Sequence, residues 1–229
     1  MLTTDELNAV RLSVIVGLTS VAGSLVFGIA LGWLLARRQF WGKSLVETML
    51  NLPLVLPPVV TGFLLLVLFG HKGVIGRRLS EWFGIHFIFD WKGAALASAV
   101  IAFPLMVRAM RLAFIAVDPK LEAASRSLGA SWLDTFFTVT LPLASHGIIA
   151  GCVLAFARSM GEFGATIMIA GNIPNKTQTI PLYIFSLIES PDGMDGAYRI
   201  IIVSVVIAGL ALVVSESLER RGRSRITSL

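Results

Sequence analysis

The chain has 229 residues, of which 55% are hydrophobic and only 14% charged. Soluble domains carry about 25% charged residues, so this composition, with a mean hydropathy of +0.82, excludes a soluble globular protein and indicates one that crosses a membrane several times. The net charge of +5 comes from basic residues that flank apolar runs, a topology signal rather than a nucleic-acid surface, and the single cysteine, Cys152, excludes an internal disulfide.

Residues 1–11 are polar and mildly amphipathic, and the acidic start (Asp5, Glu6) argues against a cleavable signal peptide. Leu12 to Ala36 is uncharged, long enough for a bilayer that needs about 20 residues. Gly28 and Gly32 form a small-xxx-small pair suited to close helix packing. Arg37, Arg38 and Lys43 then mark a cytoplasmic loop. Gly42-Lys43-Ser44 resembles the end of a phosphate-binding loop. Arg37 stands where its leading glycine would be, however, and no strand precedes it, so no nucleotide site or cofactor is expected in this chain.

A second span is expected over 48–70. Pro53, Pro57 and Pro58 loosen it and free backbone carbonyls, which is tolerated only where protein or a watery cavity covers them. The cluster reads either as a kinked packing helix or as a broken helix beside a transport pathway. On the second reading Pro57, Pro58 and Thr61 are candidate pathway residues. Residues 71–92 form a polar connection carrying Lys72, Arg77, Arg78, Glu81, Asp90 and Lys92. Trp82 and Trp91 suit an interface. A third span is expected over 93–115, with Arg108 and Arg111 near its far end.

Local signals are densest from Asp118 to Pro142. Asp118 suits a helix N-cap and Pro119 the first helical position. Leu121, Ala124, Ser125 and Leu128 follow at helical spacing. Gly129 falls where a left-handed residue would end the helix. Ser131-Trp132-Leu133-Asp134 is a capping-box pattern opening a second helix, expected to stop before Pro142.

A fourth span is expected over 147–170, although it contains Arg158 and Glu162. The competing frame, 135–157, would bury the capping box and Pro142. Gly147 and Gly151 repeat the small-xxx-small pattern. Arg158 and Glu162, four apart, are expected to share a helix face and pair. They either line a pathway or fix packing, or Glu162 lies at the outer membrane edge. Ile180 to Ile188 is too short to span and reads as a surface or re-entrant helix. A fifth span over 198–218 precedes Arg220, Arg221, Arg223 and Arg225. The basic residues favour an outside N-terminus and a cytoplasmic C-terminus, which puts residues 118–142 in the cytoplasm.

Glu122-Ala123-Ala124, then Gly129, then Leu141-Pro142 resembles the EAA loop of ABC importer permeases. The resemblance implies an all-α integral membrane protein with the type I ABC importer permease fold: one domain, about five transmembrane helices and a cytoplasmic coupling helix. It implies that Glu122, Ala123, Ala124, Ser125, Leu128, Gly129, Leu141 and Pro142 couple the chain to an ATPase. Glu122 would pair with a basic residue of that ATPase or stabilise its own helix near the positive end. Gly161-Glu162-Phe163-Gly164-Ala165-Thr166, Gly171-Asn172-Ile173-Pro174 and Thr179-Ile180-Pro181 resemble molybdate permease subunits, as does the stretch Asn51 to Pro58. Sulfate permeases typically have tyrosine where this chain has Phe163.

That likeness implies a bacterial inner-membrane homodimer around a central pathway. Two ABC ATPase subunits, using ATP and Mg, would bind it from the cytoplasm, and a periplasmic or extracellular oxyanion-binding protein from outside. The chain would be a transport subunit for molybdate, with tungstate or sulfate as alternatives, and not an enzyme; lipid surrounds it and no nucleic acid is involved. An ion-coupled secondary transporter would show internal repeats, and none is seen. An intramembrane enzyme would need a nucleophile with a base, or metal ligands, which one Cys and three His do not supply.

Overall fold

Thr3 opens the first helix: its side chain accepts from the Glu6 N–H, while the Glu6 carboxylate accepts from the Thr3 N–H at 2.7 Å. This reciprocal cap satisfies two orphan donors, so α1 (Thr4–Arg37) absorbs the polar segment expected to precede the span. The computed structural model describes residues 2–70, 73–191 and 193–227, without the side chains of 215 and 218–227. Lys72 and the side chains of Arg220, Arg221, Arg223 and Arg225 thus lie outside the described residues. No strand occurs among those described.

The second span is not one rod. It comprises α2 (Lys43–Val55) and α3 (Pro58–Phe69), bent by 112°. Leu56 and Pro57 each precede a proline, and that position disfavours helical backbone. Both residues are accordingly extended, with ψ of 143° and 134°. The polar connection holds a short helix, α4 (Val74–Phe83), followed by α5 (Trp91–Ala116), close to the expected third span.

α5 is the central helix. Met106, Val107, Met110 and Phe114 are fully buried along it, and both glycine pairs close on it. A Cβ at Gly28 would meet Met106, one at Gly32 would meet Met110, and those at Gly147 and Gly151 would meet Ala113 and Ala109. Glu47 on α2 pairs with Arg111 at 3.0 Å, and Arg108 Nε donates to Asn51 Oδ1 at 3.0 Å. These bonds hold α2 at the C-terminal end of α5, while Leu65 of α3 packs with Ala94 at its start. The bent pair therefore runs from one end of the bundle to the other.

After α6 (Pro119–Ser127) and α7 (Trp132–Thr135), the helix expected to stop before Pro142 continues instead. A π-helical segment, Phe136–Thr140, leads into α8 (Leu141–Met160), with Pro142 in the first turn. The wider π turn carries the chain past the proline without a break. The fourth span accordingly covers Trp132–Met160 and not 147–170, so the competing frame is the nearer one. It ends at Gly161, and α9 (Gly164–Ala170) is a separate short helix. α10 (Ile180–Glu189) is the short apolar helix expected there. α11 (Met194–Thr227) is apolar to Val214, beginning a turn before the expected fifth span. Its Arg199 pairs with buried Glu6 at 3.1 Å, so α1 and α11 start at the same end of the bundle.

The glycine contacts separate two similar substitutions. In Gly32→Ala the new Cβ lies 2.9 Å from Met110 Cβ and 3.2 Å from the Arg111 backbone N, neither free to swing aside. In Gly28→Ala it lies 2.7 Å from Met106 Cε, the end of a flexible chain. Gly32→Ala should destabilise the purified chain by about 1–3 kcal/mol and Gly28→Ala by less. Thermal unfolding in detergent checks this, and the reverse order would contradict the packing.

Candidate coupling loop and broken-helix site

Two clusters emerge from the folded chain. In the first, Asp118 caps α6, its carboxylate accepting from the Lys120 N–H at 2.9 Å, and Gly129 turns the chain with φ of +92°. Ser131 and Asp134 form the expected capping box. Leu121 is 44% and Leu128 90% exposed, so the apolar stripe of α6 is unpartnered in this chain. Ala123, Ala124 and Gly129 are exposed as well, Ser125 is half-buried beside Thr135, and its Oγ lies 3.2 Å from Thr135 Oγ1. Leu141 and Pro142 sit beyond the π segment, on the span itself.

Glu122 turns away from the exposed face of α6 and is held within the chain, its side chain 19% exposed. Arg37 Nη2 donates to Glu122 Oε1 at 3.0 Å and Thr140 Oγ1 donates to the same oxygen at 2.8 Å. Arg37 Nη2 also donates to Val117 O at 2.8 Å. One carboxylate thus ties α6 to the end of α1 and to the π segment. Trp33, Trp132 and Phe136 back this junction, with ring centroids 5.3 Å apart for Trp33–Trp132 and 6.2 Å for Trp132–Phe136. Arg37 and Thr140 escaped sequence reading because one looked like a topology charge and the other like an apolar-helix threonine.

The second cluster lies where α3 meets the turn after α8. A Cβ on Gly62 would stand 2.7 Å from Ala165 Cα, and one on Gly164 would stand 3.0 Å from Pro58 Cβ. Glycine is what lets these backbones meet. Pro57 and Pro58 are exposed, while Thr61 is buried with no partner for its hydroxyl. Arg158 Nη1 pairs with Glu162 Oε2 at 3.0 Å. The two do not share one helix, because α8 has ended before Glu162. The other Glu162 oxygen, Oε1, accepts from the Ala165 N–H at 2.9 Å, holding the first turn of α9. Glu162 is 2% exposed, so its carboxylate is packed inside the chain, just beyond the end of the fourth span at Met160. The structure thus brings Pro58, Thr61 and Glu162 to one junction, with Arg158 one ion pair away.

The stretch 171–181 folds as a closed loop. Asn172 Nδ2 donates to Ser186 Oγ at 2.7 Å, Gln178 Nε2 to Asn172 Oδ1 at 2.9 Å, and the Ile180 N–H to Ser13 Oγ at 2.7 Å. Among the described residues, no three His, Cys, Asp or Glu side chains gather as metal ligands would.

The model of the family described as binding-protein-dependent transport system inner membrane component matches residues 28–221. The chain belongs to that family. It is 56% identical over 225 residues to the molybdenum transport system permease protein ModB of Escherichia coli (strain K12), covering 98% of each chain. It is 36% identical over 214 residues to the sulfate transport system permease protein CysW of Synechocystis sp., covering 93% of this chain and 77% of that one. Among solved structures, a bacterial alginate ABC transporter in complex with an alginate pentasaccharide-bound periplasmic protein aligns with a TM-score of 0.69 at 18% identity. That alignment covers 96% of this chain and 80% of that one, a likeness of fold. Family membership makes the chain a multi-pass inner-membrane transport subunit and not an enzyme, with the type I importer permease fold the sequence resemblance implied.

Two outcomes test the geometry. Glu122→Ala should loosen α6, costing about 1–3 kcal/mol for a charged hydrogen bond. In charge-reversal tests the rescue of Glu122→Arg should come from Arg37→Glu in the same chain. Limited proteolysis at residues 118–131 reads this out, and rescue by a partner subunit instead would refute the internal pair. Glu162→Gln removes the charge that holds Arg158. Loss of a buried partner costs about 3–5 kcal/mol, reduced here because Arg158 is 33% exposed. A lower yield of intact complex is expected, and unchanged assembly would mean the pair does not fix packing.

Proposed function

We propose that the chain is the membrane-spanning permease subunit of an ATP-driven importer that carries an oxyanion, molybdate, by alternating access. The observation that carries this reading is the 56% identity over 98% of both chains to a molybdenum transport permease. The sulfate alternative rests on the more distant likeness at 36% identity, and tungstate is a tetrahedral dianion of the same kind. Two copies of the chain would enclose the pathway, with the exposed apolar side chains Val55, Val59, Phe63 and Val67 of the bent pair facing the other copy or lipid.

Two ABC ATPase subunits would hydrolyse ATP with Mg, and the exposed Leu121, Ala124 and Leu128 stripe would dock on them from the cytoplasm. A periplasmic or extracellular binding protein would deliver the anion, with the N-terminus outside and the C-terminus inside. ATP-driven closure of the ATPase pair would move α6, and through the Glu122 junction the ends of α1 and of the 132–160 helix. A ligand can shift such an equilibrium only through contacts that differ between the two states. Pro57, Pro58, Thr61, Arg158 and Glu162 would stand beside the pathway. The N-terminus of α3, a positive dipole end, suits a passing dianion there.

The test is the ATPase rate of the reconstituted complex with its binding protein loaded in turn with molybdate, tungstate and sulfate. Molybdate should stimulate most, and Gly129→Val, strained at positive φ, should lose that stimulation while still inserting. Stimulation by sulfate alone would overturn the substrate, and full coupling in Gly129→Val would overturn the role of the loop.

A further inference from the structure

A polar cavity of about 410 Å³ opens between the end of α1, α6 and the π segment. Its lining includes Trp33, Arg37, Arg38, Glu122, Arg126 and Trp132. Three guanidinium groups therefore face one carboxylate. Arg37 alone is matched, by Glu122, and its Nε is still buried without a partner. Arg38 makes only a cation–π approach with its side chain, 6.0 Å over Trp33. Arg126 is exposed, and its side chain makes no hydrogen bond or ion pair among the described residues. An excess of unpaired positive charge around a cavity attracts an anion, and arginine forks suit phosphate oxygens.

The position of the cavity says where the anion comes from. The uncharged run of α1 ends at Ala36, so the cavity sits where the helix leaves the hydrocarbon. Trp33 and Trp132, in its wall, are residues of the headgroup level. The lining omits Leu121, Ala124 and Leu128, the stripe assigned to the ATPase. We propose that this cavity is a binding site for a phosphate-type anion, supplied as the headgroup of an anionic phospholipid. The lipid would brace α6 against α1 at the Arg37–Glu122 junction. The proposal goes beyond the transport reading and is independent of which oxyanion is carried.

Native mass spectrometry of the purified full chain in detergent tests it, with added phosphatidylglycerol, phosphatidylcholine or inorganic phosphate. Wild type should retain phosphatidylglycerol at roughly thirtyfold lower concentration than R38Q/R126Q, as expected for two arginines at a membrane surface. R77Q/R78Q, two exposed arginines on α4, should behave as wild type. Equal retention by wild type and R38Q/R126Q overturns the site. Displacement of the lipid by inorganic phosphate at matching concentration overturns the lipid source and leaves a site for free phosphate. Should R38Q/R126Q yield no protein, wild type decides alone: a preference for phosphatidylglycerol over phosphatidylcholine supports the site, and none overturns it.

Discussion

A charge kept among apolar helices needs a partner, because an unpaired ion in low dielectric costs several kcal/mol. This chain meets that constraint with ion pairs that each join parts of the backbone far apart or on either side of a break. Glu6 with Arg199 joins the starts of the first and last long helices. Glu47 with Arg111 fastens the bent pair to the central helix. Arg37 with Glu122 fixes the loop helix to the first span, and Arg158 with Glu162 bridges the turn that ends the fourth. Remove the pairing and the helices would still be apolar rods, but their ends would be held in register only by neutral contacts such as Ile180 N–H to Ser13 Oγ and Gly32 against Met110.

Between those ends the bundle is held by close approach. The central helix Trp91–Ala116 presents Ala109, Ala113, Met106 and Met110 to four glycines on two neighbours. In lipid, contact of this kind replaces the hydrophobic drive available in water. The third zone of contact, Gly62 against Ala165 and Gly164 against Pro58, locks the interrupted second span to the short helix after Glu162. Two breaks in regular structure therefore support each other, which is how non-helical backbone is accommodated at membrane depth.

Much of this was legible in the sequence. Uncharged runs anticipated four of the five apolar segments to within about two turns, and Asp118, Gly129 and the Ser131–Asp134 box marked the caps and the turn of the stretch 118–135. The fourth span was misplaced because Pro142 reads as a stop, whereas a π turn at Phe136–Thr140 carries the helix through it. A π turn has no strong local signature, so a one-dimensional reading has little to find. The partners of Glu122, Glu6 and Arg111 were missed for a different reason. Each lies 64 or more residues away, as with Arg37 and Glu122, and in the sequence each charge looks like a marker of membrane topology. The broken second span was weighed evenly against a kinked one; the two successive pre-proline residues, Leu56 and Pro57, decided it.

The run from Trp132 to Met160 has a mechanical consequence. Its 29 residues, at about 1.5 Å each, make a rod of roughly 43 Å. One end is gripped by the tryptophan pair and the other stops at the turn holding Glu162. A lever of that length turns a tilt of about five degrees at one end into roughly 4 Å of travel at the other, by the same rise per residue. The π turn, near the gripped end, is the compliant joint, where the rod can give by a fraction of a turn without breaking its hydrogen-bond ladder.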